Sequence, residues 1–216
     1  MDPDTEVVPS NVAIHLRNYS IELNPREPKA IAAAPERLDP RTEVYLTWVP
    51  GANPMDVVEP ASFLRRAGLN PVPHIGARHI ESASQLERLM ARLVAEAEVD
   101  RVLIIGADRN RPAGPFDSSL AVMESGLLQK AGILRMSIAG FPEGNPKISD
   151  AVLEEALTAK VNFAHSAGSE GKFMLRSGRR LRSSPRELTI MESKSCMAFL
   201  PSAGPKALFT APMNAS

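Results

Sequence analysis

The chain has 216 residues with 25 basic and 25 acidic side chains, so its formal charge at pH 7 is zero and no global pull toward nucleic acid or a membrane surface is expected. A hydrophobic content of 44% supports a real core, yet no apolar run is long enough to cross a bilayer. The acidic start Met1-Asp-Pro-Asp-Thr-Glu6 is unlike a secretory leader, so the expected address is cytoplasmic. Cys196 is the only cysteine and cannot form an internal disulfide, and no Cys/His spacing suggests zinc. His74 and His79, five apart across an expected strand end, make a poor metal pair.

Taken in chain order, Tyr19-Ser-Ile-Glu-Leu23 reads as a short strand followed by the turn Asn24-Pro-Arg-Glu-Pro28. Glu43 to Trp48 is a second β-branched and aromatic run, closed by Val49-Pro-Gly-Ala-Asn-Pro54. From Met55 to Gly68 the residues Val57, Val58, Ala61, Phe63 and Leu64 recur at roughly helical spacing, with Gly68 placed to stop the helix. Asn70 to Arg78 is a third strand, ending near His74. Ser82 opens the clearest helix, whose stripe is Leu86, Leu89, Met90, Leu93, Val94 and Ala97.

Arg101-Val-Leu-Ile-Ile-Gly-Ala-Asp108 is an apolar strand ending in small residues and a carboxylate. Ser118 to Ala131 reads as a helix, and Arg135 to Ala139 as a buried strand that runs into the rigid turn Gly140-Phe-Pro-Glu-Gly-Asn-Pro146. Ser149 to Ala167 is a further helix, with Val152, Leu153, Ala156, Leu157, Val161 and Ala164 inward and acids near its start. Strand and helix alternate as in a parallel α/β sheet with crossovers. Periodicity alone leaves open both a closed (β/α)8 barrel and an open doubly wound sheet. In either, ligands bind at the carboxyl ends of the strands, where Thr47, His74, Asp108 and Glu143 fall.

The ordered rim motifs of residues 12 to 168 resemble the methylenetetrahydrofolate reductases, which are flavin-dependent (β/α)8 TIM barrels. The motifs are Ser20-Ile-Glu-Leu with Pro25, Leu46-Thr-Trp, Val72-Pro-His, Ile105-Gly-Ala-Asp108, Gly114-Pro-Phe116 with Ser119-Leu120, Ala139-Gly-Phe-Pro-Glu-Gly-Asn-Pro146, and Leu157-Thr-Ala-Lys-Val161. The resemblance implies reduction of a folate-bound one-carbon unit, 5,10-methylenetetrahydrofolate to 5-methyltetrahydrofolate, with FAD as cofactor and NADH or NADPH as reductant. It implies Glu22 as the general acid and Asp108 as the carboxylate beside flavin and pterin. It also implies cofactor contacts from Thr47, His74, Phe116, Ala139, Phe141, Asn145 and Lys160, the last near the flavin phosphates.

Flavin would carry the hydride step while carboxylates manage protons. A proton-donating Glu22 needs a raised pKa, and the apolar neighbours Ile21 and Leu23 are expected to supply the desolvation. The competing readings are structural: Glu22 facing solvent or paired with Arg17 or Arg26, Asp108 capping its turn, His74 satisfied in the core, Phe116 and Phe141 as core aromatics, Lys160 solvated.

This chain departs from the family pattern where an Arg-Gly pair usually precedes the aspartate, since Gly106 and Ala107 stand there. Phe141 and Asn145 replace a usual Tyr and His, so weakened FAD binding is expected. Beyond Gly168 the family's folate-holding Thr-Gln strand is not legible. Lys172-Phe-Met-Leu-Arg176 suits a sixth strand, but Arg176, Arg179, Arg180, Arg182 and Arg186 then crowd together, followed by Ser, Ala and Pro without period. The expected organisation is an incomplete barrel of five or six βα units over 1–171 and an atypical tail over 172–216, disordered or frame-shifted. Bare sheet edges would favour homo-oligomers or aggregation. The alternative function is a noncatalytic flavin- or pterin-binding remnant.

Overall fold

The computed structural model describes residues 19–133, 135–141, 145–166 and 170–175. Six strands, β1 (Ser20–Leu23), β2 (Glu43–Leu46), β3 (Asn70–Gly76), β4 (Arg101–Ile105), β5 (Arg135–Gly140) and β6 (Glu170–Leu175), form one sheet in which every neighbouring pair is parallel. Their spatial order is the order of the sequence. A doubly wound sheet reverses its strand order at a switch point; the described strands have no reversal. The junction expected at 171/172 falls inside β6, so the sheet runs through it.

The helices are α1 (Pro28–Arg37), α2 (Val58–Arg66), α3 (Ala83–Ala97), α4 (Ser119–Glu124), α5 (Leu127–Lys130) and α6 (Asp150–Ser166). With parallel strands laid down in sequence, right-handed crossovers put all of them on one face. The main core confirms this: Ile21, Val44, Ile75, Ile104 and Ile138 of the strands join Ile31, Leu64, Leu89, Val122 and Val161 of the helices in one cluster. Among the described residues no helix is long and apolar enough to cross a membrane.

Local chemistry explains the elements. The Ser82 hydroxyl accepts from the Gln85 amide and caps α3, whose stripe Leu86, Leu89, Met90, Leu93 and Ala97 is buried as the periodicity requires. Helix α1 has no counterpart among the expected elements. It starts with Pro28 in the first turn, where a missing N–H costs nothing, but carries Pro35 inside, which masks its periodicity. The helix expected over 118–131 is two, because Gly126 at φ +70° breaks the chain between α4 and α5. Two residues assigned inward in the sequence lie outside: Phe63 is 37% and Val152 53% exposed.

Strand β3 is central yet contains Pro71 and Pro73. The Asn70 amide donates to Thr42 O, so even-numbered residues of β3 bond toward β2 and the prolines face β4. Lacking N–H groups there, they leave β3 and β4 in register only from His74, which pairs with Leu103.

Candidate functional site

Side chains alternate across a strand, so the residues that do not face the helices share the opposite face. Register aligns Glu22 with Tyr45 and Val72, and His74 with Leu103 and Ser137. Tyr45, Val72 and Leu103 form a second, small apolar cluster with Ile105 against them. The Tyr45 hydroxyl lies 3.5 Å from Ser137 Oγ. These residues are three strands apart, about 14 Å in a flat sheet, more than the two side chains span together, so this face is concave. Burial first, and then the Glu43 carboxylate, push the Tyr45 pKa above its usual value, keeping the phenol protonated.

Deeper on the same face Arg101 forms a buried ion pair with Glu43. This pair stands at the amino ends of β2 and β4, away from the ligand end of the sheet, and serves the fold.

Glu22 projects onto the concave face, half-buried beside Tyr45 in register. Its neighbours Ile21 and Leu23 point the other way, into the helix-side core. The expected desolvation by those two residues is therefore corrected: period two separates them from the carboxyl, which shares its face with Tyr45 instead. Thr47 is fixed beside the end of β1 by its amide, which donates to Leu23 O at 3.0 Å. His74 is 8% exposed and meets Tyr45 edge to face, ring centroids 6.0 Å apart. Ala139 belongs to the concave face at the end of β5, and Phe141 just beyond is 38% exposed.

The remaining expected residues do not converge there. Phe116 is 5% exposed inside the helix-side core, the packing position that was its structural alternative. Asn145 turns its carbonyl oxygen to the Lys147 amide at 2.9 Å and so holds its own turn. Lys160 stands ten residues along α6, about 15 Å from the helix start, half-buried, with burial pushing its pKa down. Asp108 is exposed on the rim. Glu143 lies outside the described residues.

Three rim residues had no assigned role. The Trp48 indole lies flat on Gly76, where a Cβ would come within 2.8 Å of the ring. His79 stacks at a tilt on that indole, centroids 5.4 Å apart. Burial first, and then Arg109, lower the His79 pKa, with Asp108 opposing, so the imidazole is neutral at pH 7. Ala107, just before Asp108, has φ +68°, a left-handed conformation that costs a side-chain-bearing residue roughly 1–2 kcal/mol. Such strain clusters at functional sites. In sequence, only the Trp after Thr47 and the small residues ending β3 and β4 hinted at this arrangement.

A cleft at the ends of β1, β2 and β3 is lined by Pro25, Arg26, Thr47, Trp48, Asp56 and His74, and Arg26 and Asp56 pair across 3.6 Å. The enclosed space is about 20 Å³, room for one water molecule. Thr47, His74 and Ala139 share the concave face and Phe141 is exposed just beyond it, whereas Phe116 lies in the helix-side core and Asn145 in its own turn. Among the described residues no group of three or more His, Cys, Asp or Glu side chains is placed to hold a metal ion. No known family model matches the chain.

Proposed function

We propose that the chain carries the rim of a flavin-dependent reductase acting on a folate-bound one-carbon unit, arranged as an incomplete (β/α)8 barrel. The supporting observation is the sequential parallel sheet, which brings Glu22, Thr47, His74 and Ala139 onto one concave face near its carboxyl end. A sequential order with every helix outside is what a barrel requires and what a doubly wound sheet forbids. Bound flavin would supply the hydride. Within the chain, Thr47, His74, Ala139 and Phe141 would hold the ring, Glu22 would deliver the proton to the folate nitrogen, and Asp108 would bind donors of the pterin.

The resemblance to methylenetetrahydrofolate reductases supplies the reaction class. Gly106, Phe141 and Asn145, which depart from the family pattern, favour loose cofactor binding and leave the second reading, a noncatalytic flavin- or pterin-binding module, as the competitor. Association through β1 and β6, the outermost of the described strands, belongs to the same reading, since an unpaired parallel edge invites pairing.

A purified sample is expected to show a flavin absorption band when FAD is present in excess and to lose it on dialysis. With NADH or NADPH as reductant, Glu22→Gln should abolish methylenetetrahydrofolate reduction while nicotinamide oxidation persists, because only the folate step needs that proton. Flavin retention with no folate reduction in the parent chain selects the binding module. Binding of neither flavin nor a folate at any concentration defeats both readings.

A further inference from the structure

We propose that the lip formed by Trp48, His79, Arg78 and Arg109 binds a small oxyanion group, phosphate or carboxylate, which takes up the unpaired indole donor and the Arg109 charge. The lip presents donors and little to oppose them. Trp48 Nε1 and Arg78 Nε are both shielded from solvent without a hydrogen-bond partner among the described residues. An unmet buried donor costs about 1–3 kcal/mol and calls for an acceptor.

Charge points the same way. The first part of the loop after β4, residues 106–111, carries Arg109 and Arg111, both exposed and neither in an ion pair among the described residues, against the single acid Asp108 in that stretch. Arg78 is held in place by Nη2 donating to Asn110 O at 3.2 Å, and its own carbonyl accepts from the Ala113 amide at 2.9 Å, so the two rim loops form one unit. His79, stacked on the indole and acted on by the Arg109 charge, is a neutral imidazole that can donate or accept without repelling an anion. Guanidinium and indole N–H donors suit an oxyanion better than a cation or an apolar group.

Trp48 is the only tryptophan in the chain and reports on the site directly. The full chain is titrated with sodium phosphate, sodium acetate and sodium chloride at constant ionic strength while its fluorescence is followed. A saturable change with phosphate or acetate and none with chloride is expected, the tighter of the two identifying the group. Arg109 is exposed, so Arg109→Gln spares the fold and should weaken binding about ten-fold, the loss of one charged hydrogen bond; Arg92→Gln on the outer helix α3 should change nothing. An absent response, an equal response to chloride, or full affinity in Arg109→Gln overturns the proposal. Neither flavin nor folate enters the measurement, so its outcome is independent of the reductase reading.

Discussion

The Tyr45 hydroxyl on β2 reaches to within 3.5 Å of Ser137 Oγ on β5, across two intervening strands. The contact is at the long limit of a hydrogen bond, but Ser137 is fully buried and has few alternatives. Tyr45→Phe keeps the ring against His74 and strands the serine hydroxyl. A loss of about 1 kcal/mol is expected in urea unfolding, and Ser137→Ala in the same background should recover part of it. Equal losses that add would show that the two hydroxyls do not interact.

Arg101 is 5% exposed, so its ion pair with Glu43 is a buried one. Arg101→Met removes the positive partner and leaves a poorly solvated carboxylate, for which a cost of about 3–5 kcal/mol is expected. Combining it with Glu43→Gln should restore part of it, because the neutral amide no longer needs the guanidinium. Guanidinium-induced unfolding of the three variants measures both. A single-variant cost below that of an ordinary surface substitution would show that water reaches the pair.

Both pairs were invisible as pairs in the sequence, since nothing local tells Tyr45 that Ser137 lies opposite or Glu43 that Arg101 does. The strands and the helix α3 were legible because their apolar periods are local and because Ser82 announces its helix. Helix α1 was not, since Pro35 interrupts its pattern, and neither was the break at Gly126, whose positive φ takes the place of helical continuation. Of the site, Thr47, His74 and Asp108 could be placed at strand ends by length alone. The stacking of Trp48 on Gly76 and His79 required tertiary geometry, as did the segregation of Glu22 from Ile21 and Leu23 onto opposite faces.

Gly76 has an ordinary backbone conformation, so its importance is the space it leaves for the indole. Gly76→Ala would drive a methyl to 2.8 Å from the Trp48 ring. The ring must shift, and overpacking of this kind costs about 1–3 kcal/mol. The variant should melt earlier and show an altered Trp48 emission spectrum. An unchanged spectrum would mean that the indole is not seated on β3.

Ala107 presents the opposite case, a side chain where glycine would be at ease. Its φ of +68° is relieved in Ala107→Gly, and a gain of about 1 kcal/mol is expected, offset in part by the greater freedom of the unfolded chain. Urea titration decides the sign. Destabilisation would mean that contacts of the alanine methyl outweigh the strain.

The pH response of the rim follows from His79. The imidazole faces the Trp48 ring, with the Arg109 and Asp108 charges acting on it, and its folded pKa lies below the ordinary 6.5 because burial and then Arg109 disfavour its cation, Asp108 only partly compensating. Between that lowered value and 6.5 the unfolded chain holds more protons than the folded one, so stability rises with pH through this window and is flat above it. On acidification from pH 7 the contribution is lost as pH falls through 6.5 toward the folded value, where His79 itself protonates against the indole. Trp48 emission should therefore titrate with a midpoint below 6.5, and His79→Gln should abolish that transition while leaving the spectrum at pH 7.5 nearly unchanged. A midpoint above 6.5 would mean that Asp108, and not burial with Arg109, governs the imidazole.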